Sequence, residues 1–119
     1  MRNYRESTAY QLARSLLVHA YDVTRPAASS AADPVRELRR AAIAVAANLV
    51  QGSASRAREE RLGHLNAALE ALRAFAVQAN LCQLRGHLPT AAAGTLLTEQ
   101  AAATAALQAE IHAARALAS

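Results

Sequence analysis

Apolar positions recur three and four residues apart along most of the chain, the spacing that lines one side of an α-helix. Ala9, Leu12, Ala13, Leu16, Leu17 and Ala20 form the first such stripe. Asn3 followed by Glu6 has the form of a capping box ahead of it, which predicts a first helix over residues 3–24. Pro26 and the Ala/Ser-rich stretch 27–32 carry no period and break the pattern. Asp33-Pro34 then supplies an N-cap and a proline at the first helical position. Val35, Leu38, Ala42, Val45 and Leu49 continue as a heptad-like stripe over a second helix, 34–51. Gly52 is expected to stop that helix as a left-handed C-terminal residue. Leu62, Leu65, Leu69, Leu72, Ala76 and Ala79 predict a third helix, 56–85, closed by Gly86. After Pro89-Thr90, Leu97, Thr104, Leu107, Ile111, Ala114 and Leu117 predict a fourth, 91–117.

Four such helices with short links bury their stripes most simply as an antiparallel, up-and-down four-helix bundle, an all-α single domain over residues 1–119. Composition agrees: 53% of residues are hydrophobic but only 3% aromatic, so the core must come from Ala, Leu and Val. Alanine is the best helix former and is poor in strands, which excludes a sheet protein.

One stripe suffices to enter a bundle, yet the second helix has another apolar side. Ile43, Ala47 and Val50 fall on it, and they are candidates for a subunit interface made close by small side chains. The fourth helix gives the same hint, because Ala101, Ala102, Ala103, Ala105 and Ala106 surround it. A homo-oligomer is therefore expected. Asn48 lies in the apolar stretch between the two faces, where an unpaired amide would cost about 1–3 kcal/mol. It is expected to be structural, fixing register or bonding across a contact, with Gln51 available to neighbouring backbone.

The formal charge is +4, and all 13 basic side chains are arginine. Guanidinium groups pair with phosphate oxygens bidentately, which would suit RNA or DNA, while genomic base composition also yields an all-arginine set; charge alone does not separate the two. Arg36, Arg39 and Arg40 cluster at the start of the second helix, and Arg56, Arg58 and Arg61 at the start of the third; these six are the candidate phosphate contacts. Tyr4, Tyr10, Tyr21 and Phe75 are scattered and predict no basic-aromatic patch for base stacking. Cys82 is the single cysteine, so no intrachain disulfide or cysteine zinc site forms and a reducing cytoplasm is expected. Met1 to Glu6 are polar where a signal peptide turns apolar, and the apolar run Ala41 to Ala47 is far short of a membrane span.

The residues Leu38-Arg39-Arg40-Ala41-Ala42 and Asn48-Leu49-Val50-Gln51-Gly52 resemble a known pattern, with Glu60, Leu65, Ala68 and Gly86-His87-Leu88 in register after it. Tyr21, Thr24 and Pro26 match its end of helix one. The pattern is that of the four-helix bundle proteins encoded in intervening sequences of bacterial large-subunit ribosomal RNA genes. These are similar in turn to the accessory proteins of diversity-generating retroelements. Gln51 stands where that family has glutamate, Glu70-Ala71 where Gly-Ser is common, Ala74 for a glutamate and Ala57 for a Ser/Thr cap. The resemblance implies a homopentamer, nucleic-acid binding and possible recruitment of a protein partner. Five copies of +4 would place +20 on one particle.

No enzyme is expected. The sequence has no glycine-rich phosphate loop and no nucleophile elbow, and His19, His64, His87 and His112 never form an i, i+4 pair. Glu60 and His64 lie one turn apart, and the expectation is a solvated helix-face pair with no metal and no cofactor. The function expected is a non-catalytic oligomeric bundle that binds structured RNA or DNA. The competing reading is a protein-binding oligomeric scaffold with no nucleic-acid role.

Overall fold

The computed structural model describes residues 3–28 and 33–117; the non-periodic stretch between the first two helices lies largely outside them. A one-turn 3₁₀ helix, Tyr4–Glu6, precedes four α-helices: α1 Thr8–Ala28, α2 Asp33–Ala54, α3 Arg58–Leu84 and α4 Thr90–Ala116. Each helix packs on its chain neighbours, and α1 also packs on α4, which closes the four into a square. Ser7 meets Glu110 and His19 meets Glu99, so α1 and α4 run antiparallel. Leu72 meets Gln100 and Gln83 meets Thr90, so α3 and α4 do as well. The result is a rod of 48 × 21 × 20 Å.

The first helix begins differently from expectation. Asn3 caps only the 3₁₀ turn, its Oδ1 accepting from the Arg5 N–H at 3.0 Å. The chain is capped again four residues on, where Ser7 Oγ accepts from the Tyr10 N–H at 3.1 Å. Glu110, from α4, completes the cap: its Oε2 accepts from the Ser7 hydroxyl at 2.7 Å and the Ala9 N–H at 3.1 Å. A capping box satisfies a helix N-terminus with a local glutamate, and here a residue 101 positions away does it. At its other end α1 runs past Thr24 and through Pro26 to Ala28. Pro26 sits in the last turn, where the missing N–H removes one bond near the helix end.

Gly52 does not stop α2, which continues to Ala54. It is buried inside the helix, and a Cβ there would lie 3.3 Å from His64 Cβ and 3.6 Å from Leu65 Cδ2. Its use is close approach of α3, with no left-handed backbone. Gly86 does behave as expected, with φ at +78°. The His87 N–H reaches the Cys82 carbonyl at 2.7 Å and the Gly86 N–H the Gln83 carbonyl at 3.1 Å, a Schellman termination of α3.

The stripe expected on α2 is buried throughout, while those of α3 and α4 shift phase. Phe75, not Ala76, takes the α3 core position and is fully buried. On α4 the buried line is Ala93, Leu96, Ala103, Leu107, Ile111 and Ala114, so Leu97 and Thr104 are displaced to its flank. Leu117 is 82% exposed. Cys82 is fully enclosed in this core, and burial raises its thiol pKa. The folded chain therefore holds that proton more tightly than the unfolded one. Stability from this source is full at neutral pH and falls as alkali ionises the unfolded thiol first. A disulfide thiol reagent is expected to label the native protein at least about a hundredfold more slowly than the denatured one, followed by absorbance.

Candidate nucleic-acid interface

The two arginine clusters sit at opposite ends of α2, a helix about 33 Å long at 1.5 Å per residue. A single chain therefore presents two separate basic ends and no continuous surface. At the first end, Arg36 pairs with Asp33 and Arg40 with Glu37 at 3.4 Å, both one turn apart and largely exposed. Exposed pairs of this kind contribute about 0–1 kcal/mol, so both guanidinium groups stay available to a stronger anion. Arg39 is different. Its Nε donates to Thr24 Oγ1 at 2.8 Å, Nη2 donates to the Tyr21 carbonyl at 3.3 Å, and the guanidinium lies 4.3 Å from the Tyr21 ring centroid. Thr24 is itself buried and donates to the Ala20 carbonyl at 2.6 Å. Arg39 thus ties the end of α1 to α2.

At the other end, Arg58 donates to the carbonyls of Ala114 and Arg115, both at 3.4 Å, and so satisfies the C-terminal turn of α4. Arg56 and Arg61 form no ion pair among the described residues. Both line a groove of about 690 Å³ at this end of the bundle, which Tyr4, Ser7, Tyr10 and Glu110 and the buried Leu49 and Leu65 also line. Tyr4 and Tyr10 meet edge to face, centroids 4.8 Å apart, and the Arg5 guanidinium lies 5.0 Å from the Tyr4 centroid. Basic and aromatic side chains do therefore come together, at Tyr21 and at Tyr4, contrary to expectation. Arg39 and Tyr21 are brought together only by the packing of α2 on α1, and Tyr4 joins Arg56 and Arg61 only where the helix ends meet at the groove.

Asn48 donates from Nδ2 to the Ala44 carbonyl at 2.9 Å, and its Oδ1 lies 3.3 Å from His64 Nδ1 across the α2–α3 contact. Gln51 is exposed, and its carbonyl accepts from Ser55 Oγ at 2.9 Å. Glu60 and His64 do not form the face pair expected of them. Glu60 accepts from Ser55 Oγ at 3.3 Å while His64 turns inward to Asn48. Among the described residues no three His, Cys, Asp or Glu side chains converge.

Ile43 is 47% exposed and Ala47 is exposed, with Val50 half-buried beside them. This face continues the Arg39 row of α2 toward α1, whose Val18 and Tyr21 are also exposed. A second apolar line was not anticipated from the sequence. Ala74, Val77, Leu81 and Leu84 recur three and four apart on the outer side of α3, with Val77 57% exposed. The signal was present as an unbroken period, offset from the core stripe. No helix among the described residues is long and apolar enough to cross a membrane.

No family profile and no curated protein matches the chain. Among solved structures, it is similar to the crystal structure of a protein of unknown function from the S23 ribosomal protein family of Bacteroides thetaiotaomicron. The TM-score is 0.81 at 11% identity, over 87% of this chain and 95% of the other. That likeness shows the shared four-helix fold.

Proposed function

We propose that this protein is a non-catalytic, homo-oligomeric four-helix bundle of the cytoplasm that binds structured RNA or DNA through its arginine-bearing ends. A pentamer is the assembly that the resemblance of Leu38–Ala42 and Asn48–Gly52 to the intervening-sequence proteins suggests. The fold it shares with a member of the S23 ribosomal protein family supports that comparison. The observation that carries the reading is the state of the arginines. Among the described residues, Arg36, Arg40, Arg56 and Arg61 are held by nothing stronger than exposed surface pairs, at both ends of the rod. A ring of such chains multiplies these contacts, so weak binding per subunit becomes appreciable avidity.

Gel shifts with hairpin RNA and duplex DNA at ~50 mM salt are expected to show binding that weakens steeply with salt. Arg36→Ala with Arg40→Ala, and separately Arg56→Ala, should each lower the salt slope by about one for every phosphate those side chains neutralise. Arg39 and Arg58 are unsuitable, since their removal would loosen α1 from α2 or the α4 terminus. Binding that ignores salt, or none at all, would sink the reading. The alternative, a protein-binding scaffold, draws on the exposed α3 line of Val77, Leu81 and Leu84. Recovery of a stable protein partner free of nucleic acid would favour it.

A further inference from the structure

We infer that the groove at the Arg56/Arg61 end is a binding site for a mononucleotide unit, either a free nucleotide or the phosphorylated end of a strand. It shares its arginines with the surface proposed above and rests on that reading for phosphate as the anion. Its volume, about 690 Å³, is that of a small-ligand site. Its lining divides into three chemistries that match the three parts of a nucleotide.

Arg56 and Arg61 supply two guanidinium groups without ion-pair partners among the described residues, suited to a phosphate dianion. Ala57 provides no side-chain cap, so α3 opens beside them with its positive helix end uncapped by that residue. Tyr4 and Tyr10 supply an aromatic wall already fixed by their mutual edge contact and by Arg5 on Tyr4. A wall held in place before binding loses little entropy when a base packs on it. Glu110 supplies an acceptor: Oε2 is committed to Ser7 and Ala9, and Oε1 accepts no hydrogen bond among the described residues. Because Glu110 lines the groove, that oxygen suits a ribose hydroxyl or a base amino group. A plain inorganic anion would leave the rings unused, and an apolar ligand would bury both arginines unpaired.

The test is calorimetric titration of the full chain at ~50 mM salt with AMP, adenosine and inorganic phosphate. A second arm compares an oligonucleotide carrying a 5′-phosphate with its 5′-hydroxyl counterpart, and a third uses a circular structured RNA that has no end. AMP, or the 5′-phosphorylated strand, is expected to bind at least about tenfold more tightly than its unphosphorylated counterpart. Arg56→Ala, at an exposed position that the fold does not need, should erase about tenfold of that affinity, and Arg73→Ala, exposed on α3 and outside the groove, should leave it unchanged. Binding of AMP distinguishes the free nucleotide from a strand end. If phosphorylation makes no difference in either arm, or Arg73→Ala weakens binding as much as Arg56→Ala, the inference is overturned. Circular RNA still bound in that case leaves the backbone-binding surface standing, whereas loss of both removes both.

Discussion

Phe75→Ala is expected to destabilise the protein by about 3–5 kcal/mol, a large share of the ~5–15 kcal/mol that holds a domain of this size together. Phe75 is the largest fully buried side chain, in a core otherwise built mainly from Ala, Leu and Val, with Ile111 and Cys82. Truncating it removes the hydrophobic transfer energy of a benzyl group and leaves a cavity. Alanines such as Ala68, Ala79 and Ala103 have no rotamer to move, so relaxation requires shifting whole helices. Phe75→Leu, which keeps most of the volume, should cost about 1–2 kcal/mol. Urea unfolding at one fixed protomer concentration checks both, with the m-value unchanged if only stability moves. A change under about 1 kcal/mol for the alanine variant would mean that Phe75 is not central to the core in solution.

Phe75 also shows why part of this architecture could not be read from the chain. Four helices, their order and the α2 stripe follow from apolar periodicity, because Val35, Leu38, Val45 and Leu49 are large and unambiguous. On α3 the step after Leu72 can be three or four, and alanine-rich sequence offers an apolar residue either way. Ala76 keeps the alternation and Phe75 breaks it, yet Phe75 is the residue buried in the core. On α4 the buried line passes through Gln100, which is polar and hides the true phase. Its Nε2 donates to the Leu72 carbonyl at 3.0 Å and to Thr104 Oγ1 at 3.2 Å, so a half-buried amide is tolerated there.

Two glycines illustrate the same limit. Gly86 stops a helix by adopting a backbone that other residues resist, and sequence context announces it. Gly52 serves by lacking a Cβ against His64, a fact about another helix that no local pattern contains. The basic groove is still less legible, since Tyr4, Arg56 and Glu110 meet only once all four helix ends are assembled. Charge clusters were visible along the chain; which arginines are spent on holding helices together was not.

Ile43→Asp is expected to reduce the proposed oligomer to a folded monomer, weakening association by at least about a hundredfold. A carboxylate buried at an interface without a partner costs about 3–5 kcal/mol, which converts to that factor or more. Within one chain the same substitution is mild, because Ile43 is 47% exposed and its replacement leaves no cavity in the core. Helix content by circular dichroism and the urea midpoint of the dissociated chain should therefore stay close to those of a monomeric reference at low concentration. Light scattering reads the mass. Val77→Asp, on the outer α3 line, separates two geometries. A two-fold contact uses one patch against itself, whereas a ring joins two different patches of neighbouring copies. If the α1–α2 face meets the α3 line, Ile43→Asp and Val77→Asp each open the ring and the double substitution adds nothing further to the mass change. If Ile43→Asp alone dissociates the particle, the α3 line is not the partner of that face, and the wild-type mass then separates an isologous dimer from a ring closed on another patch. Wild-type protein that scatters as a monomer would remove the oligomeric reading itself, and with it the avidity on which weak phosphate contacts depend.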